Sequence, residues 1–402
     1  MDFGLIGEHL EHSWSPEIHG RLRGYAYQLC PMTPAELPAF FARRDFRGIN
    51  VTIPYKQTVM PWCDVLSETA RRVGAVNTVV RRADGTLYGD NTDPVGLAFL
   101  LEEAGIELTG RDVLVLGSGG ASLTVQLVAA DLRAKSVTVI GRGDFEGIYE
   151  HQNAQVIANA TPVGMFPHPE NCPVEPDRFP RLEAAVDLIY NPLRTRFLQK
   201  ARDISLKTAD GLSMLVAQAA ASIGLFTGAP CGEEEVTRVL AGLRRDLENW
   251  VLIGMPGCGK TTVGGDLAQR SGRPFVDLDL EIEKSTGLSG RQILLTQGEA
   301  AFRGIEARLA AEFGAKTGLV IATGGGTVLR PENVEALRQN GRLLWIRRDT
   351  RHLATAGRPL SVDLEALERA RLPFYEAAAD MQIEHNEDWE ALKIKAWEGF
   401  NT

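Results

Sequence analysis

Cysteine is scarce in this chain of 402 residues, and long apolar runs are missing. The five cysteines are scattered, odd in number and never spaced as Cys-x-x-Cys, which argues against a disulfide framework or a zinc site. The same cysteine usage favours a reducing compartment, so we expect a cytoplasmic protein. No stretch reaches the roughly 18 apolar residues that would span a membrane, and the first residues lack the pattern of a signal peptide.

The chain also has no surplus of basic residues. Lysine and arginine together number 43, against 52 aspartates and glutamates, which gives a net charge of -9. This balance argues against nucleic acid or an anionic membrane as a partner. Anionic small molecules would have to be held by local groups of arginine and lysine.

What the chain does contain is two glycine-rich loops, each between a predicted strand and a predicted helix. The loop GSGGA at 117–121 suits the pyrophosphate of a dinucleotide, because backbone N–H groups and the positive end of a helix would face the anion. Alone, this loop is also compatible with a tight turn that binds nothing. The loop GMPGCGKT at 254–261 fits the complete pattern of an ATP-binding P-loop. The sequence therefore predicts two nucleotide-dependent parts.

The order of strands and helices predicts an α/β fold in three parts. Residues 1–98 alternate short strands with helices and contain a hairpin, whose turn is at 83–85. Residues 99–211 follow the strand–loop–helix order of a Rossmann-like dinucleotide domain. A boundary near Trp250 precedes a parallel P-loop domain of the nucleoside-kinase type at 250–402. Helices are predicted over 94–106, 212–224 and 233–247, the last two completing the first part.

The residues after the second strand of the dinucleotide domain bear on the choice of cofactor. Arg142 stands where the 2′-phosphate of NADP would lie and favours NADP over NAD. Asp144 weakens that preference, because NAD enzymes usually place a carboxylate on the ribose.

Residues 1–230 resemble the shikimate dehydrogenases in several motifs that occur in the same order. The motifs are HSWSPEIH (12–19), NVTIPYK (50–56), AVNT (75–78), NTD (91–93), NATPVGM (159–165) and GLSML (211–215). The resemblance implies a two-lobed dehydrogenase, with a substrate-binding domain at 1–98 and a Rossmann-like NADP domain. It also implies NADPH-dependent reduction of 3-dehydroshikimate to shikimate.

Reduction of a ketone leaves negative charge on its oxygen, which a nearby acid must neutralise. Lys56 and Asp93 are the candidates. The resemblance implies that the lysine is the acid and base, and that the aspartate orients it or the substrate hydroxyl. The alternative is a solvated lysine and a helix cap at 91–93. The resemblance implies substrate contacts by Ser13, Ser15, Thr52, Asn77, Tyr190 and Gln218. It implies cofactor contacts by Gly117, Gly119, Gly120, Ala121, Arg142, Asn159, Thr161, Gly211 and Met214.

One segment departs from this family. Only residues 141–158 separate the strand before Arg142 from the NATPVGM motif, where the family has room for a further helix and strand. A trimmed domain would bind NADP weakly or choose cofactors less strictly. Two alternatives follow, namely an NAD-using quinate/shikimate dehydrogenase, or a first half that binds ligand without turnover while only the kinase acts.

Residues 250–402 resemble the shikimate kinases. The motifs are FVDLDLEIE (275–283), GEAAFRGIE (298–306), TGGG (323–326), RPL (358–360) and RLPFY (371–375). The resemblance implies phosphorylation of shikimate by ATP with Mg²⁺. The stretch 360–371 is shorter than the lid of this family.

In this half the predicted roles follow from charge and from the P-loop. ATP contacts are predicted for Gly254, Gly257, Cys258, Gly259, Lys260, Thr261 and Thr262, and Mg²⁺ contacts for Thr261 and Asp277. Asp279 would accept a hydrogen bond from the attacking hydroxyl, and Arg358 would stabilise the transferring phosphoryl group together with Lys260. Substrate contacts are predicted for Arg303, Gly325 and Arg371, since guanidinium groups suit a carboxylate. Surface ion pairs for the arginines and a helix cap for Asp279 are the alternatives.

The two halves converge on shikimate, which one would make and the other consume. We therefore expect a bifunctional enzyme of chorismate and aromatic amino acid biosynthesis whose partners are small molecules. A homodimer is left open.

Overall fold

The computed structural model describes residues 2–10, 13–349, 353, 364–384 and 389–401. The chain forms two compact units, Met1–Leu243 and Arg244–Thr402. Both units are built from parallel or mixed sheets with helices, so the predicted α/β class is confirmed. Within the described residues, no helix is both long and apolar enough to cross a membrane.

The first unit starts with a mixed sheet of six strands. These are β1 (Phe3–Gly7), β2 (Tyr27–Pro31), β3 (Gly48–Val51), β4 (Val65–Leu66), β5 (Thr78–Arg81) and β6 (Leu87–Asp90), in the order β2-β1-β3-β5-β6-β4. The helices between them are α1 (Ser15–Arg23), α2 (Leu37–Arg43) and α3 (Glu68–Val73). β5 and β6 pair antiparallel, so the predicted hairpin is confirmed.

A parallel sheet of five strands forms the second part of this unit. Its strands are β7 (Asp112–Leu116), β8 (Ser136–Ile140), β9 (Val156–Asn159), β10 (Ala184–Asp187) and β11 (Lys207–Ala209), in the order β11-β10-β9-β7-β8. The helices are α4 (Asp93–Glu103), α5 (Gly120–Asp131) and α6 (Arg196–Asp203). The short connection between β8 and β9 contains a single 3₁₀ helix, Phe145–Glu150. Residues of β7 alternate between two cores, with Val113 and Val115 in one and Leu114 and Leu116 in the other.

Helix α7 (Gly211–Thr227) packs closely along α4. The approach depends on Gly96 of α4, because a Cβ at this position would lie 2.6 Å from the Met214 carbonyl oxygen. The predicted bounds of both helices differ from the structure at their carboxyl ends. α4 stops at Glu103, before Gly105 with its φ of 59°, and α7 continues to Thr227, where Gly228 caps it with φ 73°.

Replacing Gly96 by alanine is expected to lower the free energy of unfolding of the first unit by about 1–3 kcal/mol, because the helices must move apart. Hydrogen exchange of peptides from α4 and α7 in urea measures the change. Gly20→Ala, in α1 of the same unit, is the matched control, since a Cβ there finds no described atom within 4 Å and a helical alanine costs nothing. Unchanged exchange in the Gly96 variant would mean that the close approach is unimportant.

The second unit is a parallel sheet of five strands covered by helices. Its strands are β12 (Asn249–Ile253), β13 (Phe275–Asp277), β14 (Val320–Ala322), β15 (Gly341–Arg347) and β16 (Met381–Glu384), in the order β13-β14-β12-β15-β16. The helices from residue 233 onward are α8 (Glu233–Leu247), α9 (Lys260–Ser271), α10 (Leu278–Thr286), α11 (Gly290–Thr296), α12 (Glu299–Gly314), α13 (Pro331–Arg338), α14 (Leu364–Ala378) and α15 (Trp389–Asn401).

The boundary between the two units falls inside α8. At its first turn, Glu235 forms an ion pair with Arg23 of the first unit. At its last turn, the Leu247 carbonyl oxygen accepts a hydrogen bond of 3.0 Å from the Gly318 N–H of the second unit. The last carbonyl groups of a helix have no partner within the helix, so this bond satisfies one of them.

Candidate active sites

A lysine and a carboxylate form an ion pair in the first unit. Lys56, a few residues beyond the carboxyl end of β3, places its Nζ 2.6 Å from Oδ2 of Asp93. Asp93 begins α4, so its carboxylate also lies at the positive end of that helix. The Asp93 side chain is only 11% exposed and that of Lys56 26%, so part of the lysine side chain is accessible to a ligand. The pair can hold a proton at Nζ and orient it.

Further hydrogen bonds hold the second carboxylate oxygen of Asp93 and the neighbouring Thr92. Asn77 donates from Nδ2 to Asp93 Oδ1 at 2.8 Å and to the Thr92 hydroxyl at 3.0 Å. The Thr92 hydroxyl in turn lies 3.4 Å from Oε1 of Gln218 on α7. Thr92 was not predicted as a site residue, nor was Ser222, whose hydroxyl lies 3.1 Å from that of Thr92. The spacing of Gln218 and Ser222, which puts both on one face of α7, is the signal that could have found the latter.

The remaining predicted substrate contacts lie on other elements of the same unit. Ser13 donates its hydroxyl to that of Ser15, 3.2 Å away, at the start of α1. Thr52 follows β3, and its N–H donates to the Ile6 carbonyl oxygen at 3.0 Å. Tyr190 lies beyond β10, where burial raises the pKa of its hydroxyl. Within the described residues, hydrogen bonds join Ser13 to Ser15 but join neither to Lys56.

The first glycine loop connects β7 to α5. Gly117 has φ 105°, and a Cβ there would lie 2.9 Å from the Ala160 carbonyl oxygen, so only glycine fits without strain. Gly119 and Gly120 open α5, and both are exposed, as is Ala121. The open N-terminus of α5 next to a glycine-rich turn fits the pyrophosphate of a dinucleotide.

Neighbouring residues border this loop. Asn159 accepts the Thr161 hydroxyl at 2.6 Å, which folds the NATPVGM segment next to Gly117. Gly211, at the start of α7, contacts the backbone of Leu188 so closely that no side chain would fit. Met214, on the same helix, packs against the core that contains Val113 and Val115.

Two charged residues follow β8. Arg142 is exposed at the carboxyl end of the strand. Asp144 Oδ2 accepts a hydrogen bond of 3.3 Å from the Gly141 N–H. A Cβ on Gly141 would lie 3.1 Å from this oxygen and 3.8 Å from the Ser118 hydroxyl, so the Asp144 carboxylate lies beside the glycine loop. A cation and an anion therefore both border the expected ribose position.

The second glycine loop connects β12 to α9. Gly254 has φ 145°, and a Cβ there would lie 2.9 Å from the Cys258 sulfur. Lys260 is buried, and its Nζ donates to the carbonyl oxygens of Gly254 at 2.9 Å and Met255 at 3.0 Å. Gly257 and Gly259 also have positive φ, and Thr262 is exposed on the first turn of α9. This loop fits a triphosphate, because it brings a buried ammonium group and the N-terminus of a helix together.

Two oxygen-bearing side chains meet beside the P-loop. The Thr261 hydroxyl donates to Asp277 Oδ2 at 2.6 Å. Asp277 ends β13, and its Oδ1 accepts the N–H of Asp279 at 3.0 Å. Asp279 itself is exposed on the first turn of α10. A hydroxyl and a carboxylate next to a phosphate loop fit Mg²⁺, which prefers oxygen ligands shared with the phosphates of a nucleotide.

Two arginines converge on the TGGG segment. Arg303 of α12 is 8% exposed and covers Gly326, while Arg371 of α14 donates to the Gly325 carbonyl oxygen at 2.9 Å. Glu306, which is 1% exposed, pairs with Arg303 at 2.7 Å. Sequence reasoning did not single out Glu306 as a site residue, because spacing alone does not reveal burial. Arg358, the remaining predicted catalytic residue, lies outside the described residues.

Fold and site together define two classes of enzyme in one chain. A dinucleotide loop beside a Lys–Asp pair is typical of a nucleotide-dependent dehydrogenase. A P-loop facing a Thr–Asp pair and buried arginines is typical of a kinase that acts on a small anion.

Comparison with known proteins shows which families the two halves of the chain match. Residues 5–79 match the shikimate dehydrogenase substrate binding domain, and residues 256–395 match the shikimate kinase family. A shikimate dehydrogenase (NADP(+)) of Clostridium perfringens strain SM101 is 35% identical over 263 residues, 56% of this chain and 92% of that protein.

Two solved structures resemble the first unit. One is a chorismate mutase/shikimate 5-dehydrogenase fusion protein from Clostridium acetobutylicum, 35% identical with TM-score 0.56, matching 60% of this chain and 96% of that one. The other is shikimate 5-dehydrogenase from Thermus thermophilus in complex with NADP(H) and shikimate, 34% identical with TM-score 0.54, matching 60% and 98%. The chain belongs to the shikimate dehydrogenase family and carries a shikimate kinase domain after it. It is thus an oxidoreductase and a kinase of the shikimate pathway in one polypeptide.

Proposed function

We propose that the first unit reduces 3-dehydroshikimate to shikimate with NADPH, and that the second converts shikimate to shikimate 3-phosphate with ATP and Mg²⁺. The observation that carries the proposal is the Lys56–Asp93 ion pair, 2.6 Å between Nζ and Oδ2, on the same chain as a complete P-loop. The product of one reaction is the substrate of the other, so each assignment supports its neighbour.

In the first reaction, the proton is moved by residues of this chain. NADPH supplies the hydride when it is bound. Lys56 donates the Nζ proton to the ketone oxygen as negative charge develops there, so that the carbonyl becomes an alcohol. Asp93 keeps the amine oriented, and Asn77 keeps Asp93 oriented through its bond of 2.8 Å. Residues 1–98 with α7 and α8 would bind the substrate, and residues 99–211 the dinucleotide.

The proposed ligand contacts of the first unit follow the positions described above. Ser13 and Ser15 would donate hydroxyl groups to the substrate carboxylate, and Thr52, Asn77, Tyr190 and Gln218 would contact the ring. Backbone groups of Gly117, Gly119, Gly120 and Ala121 would contact the pyrophosphate, while Asn159, Thr161, Gly211 and Met214 would border the nicotinamide half. Buried amides and hydroxyls at such a site bind best when each finds a partner on the ligand.

In the second reaction, the chain positions a hydroxyl against a phosphoryl group. ATP supplies that group, and Mg²⁺ neutralises part of its charge. Arg303 and Arg371 would hold the substrate carboxylate, with Gly325 allowing its close approach. Asp279 would accept a hydrogen bond from the attacking hydroxyl, Lys260 would neutralise phosphate charge, and Thr261 and Asp277 would hold Mg²⁺, Asp277 through water. Arg358 is proposed for the transition state on its motif alone.

The test is a coupled reaction resolved by mass. The full chain is incubated with 3-dehydroshikimate, ATP-Mg²⁺ and NADPH, and the products are separated. Shikimate 3-phosphate is the expected product. If added shikimate is phosphorylated but 3-dehydroshikimate is never reduced, the first unit is a ligand-binding module and its proposed activity is wrong.

The carboxylate beside the glycine loop favours a second candidate, in which NAD serves as cofactor. The Asp144 carboxylate lies where it could accept a hydrogen bond from a ribose hydroxyl of the dinucleotide, and Arg142 is the basic residue beside the same position. Residues 141–155, all of which the structure describes, connect β8 to β9 with a 3₁₀ helix and no α-helix. We therefore infer that the first unit accepts both dinucleotides, with Arg142 responsible for the preference for NADPH.

Replacing Arg142 by alanine is expected to raise KM for NADPH about tenfold, the equivalent of one charge-assisted hydrogen bond, while KM for NADH stays the same. Initial rates with each dinucleotide measure the split. Arg71→Ala, which removes an exposed arginine of α3, is the control. Equal changes for both dinucleotides would contradict the assignment of Arg142 to the 2′-phosphate.

A further inference from the structure

A buried carboxyl group beside the proposed dinucleotide site accepts hydrogen bonds from uncharged donors. Asp187, the last residue of β10, is 0% exposed. It accepts three hydrogen bonds, from the Thr195 hydroxyl at 2.6 Å, from Asn159 Nδ2 at 3.1 Å and from the Ile189 N–H at 3.1 Å. None of these donors is charged. A buried carboxyl in such surroundings is costly to ionise, so its position next to a nucleotide loop makes it a candidate functional group.

The network continues from Asp187 into the NATPVGM segment. Besides its bond to Asp187, Asn159 Nδ2 donates to the Val163 carbonyl oxygen at 3.2 Å. Its Oδ1 accepts both the N–H of Thr161 at 3.1 Å and the hydroxyl of Thr161 at 2.6 Å. Both donors and the acceptor of the amide are therefore engaged, which fixes its orientation. Asp187 thus holds the amide that shapes the segment 159–163.

This segment borders the dinucleotide loop directly. A Cβ on Gly117 would lie 2.9 Å from the Ala160 carbonyl oxygen and 3.0 Å from Cγ2 of Thr161. A shift of the segment by a few tenths of an ångström would therefore alter the space in which a dinucleotide lies. Asp187 is thus connected to the glycine loop through hydrogen bonds of Asn159 and through the close contact of Ala160 and Thr161 with Gly117.

We propose that Asp187 is a positioning residue of the dehydrogenase, which holds the segment 159–163 against the glycine loop through Asn159 and so sets the affinity for NADPH. This inference rests on the proposed function of the first unit. Asp187 does not touch the expected reacting atoms, so its contribution is to binding of the dinucleotide and not to the chemical step.

The charge of this carboxyl gives the proposal a pH dependence. Burial raises the pKa of Asp187 to about 7; the bonds from Thr195, Ile189 and Asn159 lower it, and the carboxylate of Asp210, just before α7, raises it. Above this pH the ionised carboxylate accepts all three bonds strongly. Below this pH the carboxyl group is protonated and donates to the Thr195 hydroxyl instead of accepting from it. The neutral carboxyl then accepts the bonds from Asn159 and Ile189 less strongly. We therefore expect tighter binding of NADPH above about pH 7 than below it.

The test uses Asp187→Asn in the full chain, which keeps the shape of the side chain but cannot ionise. Its Kd for NADPH, measured by NADPH fluorescence, is expected to rise roughly tenfold at about pH 8, close to the effect of one strong hydrogen bond. Between about pH 6 and pH 8, Kd should change more in the unaltered chain than in the variant, whose remaining change reports the 2′-phosphate of NADPH, with its second pKa of about 6. In steady-state rates, KM for NADPH should rise while kcat and KM for 3-dehydroshikimate change less than about twofold.

A second variant and two controls keep the result interpretable. Thr195→Val removes one donor and should move the pH midpoint of NADPH binding upward by roughly one unit. Asp131→Asn, on the exposed face of α5, should leave affinity and pH profile alone, and kinase rates verify the amount of intact chain. An unchanged Kd and pH profile in Asp187→Asn would overturn the positioning role. Binding of NADPH without any reduction of 3-dehydroshikimate would instead contradict only the proposed function.

Discussion

Replacing Lys56 by alanine is expected to lower kcat for 3-dehydroshikimate reduction by about 10²–10⁴-fold, the usual contribution of a positioned acid. Nζ is the proton-bearing atom of the pair, and it lies 2.6 Å from Asp93 Oδ2. Its removal also leaves a carboxylate that is 11% exposed without its cation. The measurement is the initial rate of NADPH oxidation at saturating 3-dehydroshikimate. Because the kinase sites lie in the other unit, shikimate phosphorylation by the same sample should stay at its original rate.

Lys135→Ala is the matched control for this result. Lys135 is 66% exposed and pairs with Asp112 in the same unit, so its loss removes a lysine of equal charge away from the pair. Its reduction rate should stay within about twofold of the original, as for most exposed ion pairs. A Lys56→Ala chain that reduces 3-dehydroshikimate at the original rate would show that the proton comes from elsewhere.

Replacing Lys260 by methionine is expected to lower kcat for shikimate phosphorylation by on the order of 10²–10³-fold, comparable to loss of a preorganised donor at a developing charge. Methionine keeps the length of the side chain but cannot neutralise phosphate oxygens. The Lys260 ammonium group is buried against the Gly254 and Met255 carbonyl oxygens, inside the loop that would hold the phosphates. Formation of ADP in the presence of shikimate measures the effect.

Lys284→Met serves as its control, because Lys284 is 70% exposed and pairs with Glu281 on α10. Thermal unfolding of both variants shows whether the unit still folds. If Lys260→Met bound ATP and phosphorylated shikimate normally, the loop at 254–261 would not be the phosphate site. Reduction of 3-dehydroshikimate by either variant should not change.

The strands that the sequence predicts are those with uninterrupted apolar runs. β7 and β12 lie inside their sheets, where both faces are covered, and each precedes a glycine loop that marks its end. β2, β4, β11 and β16 have no long apolar run, and each forms an edge of its sheet. An edge strand needs fewer apolar residues because one side is solvated. β2 contains Pro31, and β16 alternates between half-buried and exposed residues, so neither shows a run.

The sequence motifs predict the candidate site residues, and their roles stay predictions. Lys56 and Asp93 stand in separate motifs, and the structure brings them within hydrogen-bonding distance, as it does Thr261 and Asp277. Residues outside the motifs that would position the site residues could not be found in this way. Asp187 lies in the apolar run 184–190, which indicates a buried strand but not the partners of its carboxyl group, and these come from β9 and the start of α6. Such contacts depend on which strands become neighbours, which only the folded sheet decides.

The position of the unit boundary inside α8 has a consequence for genetics. A gene cut between codons 243 and 244 would end one protein within this helix and start the other with its last turn. The first protein would keep Glu235, which pairs with Arg23, and the second would begin only a few residues before Leu247, which accepts the Gly318 N–H. Two separate genes that reproduce both activities would therefore each need their own copy of the codons for α8. Complementation of a double knockout by overlapping halves, and not by halves that abut, is the pattern we expect.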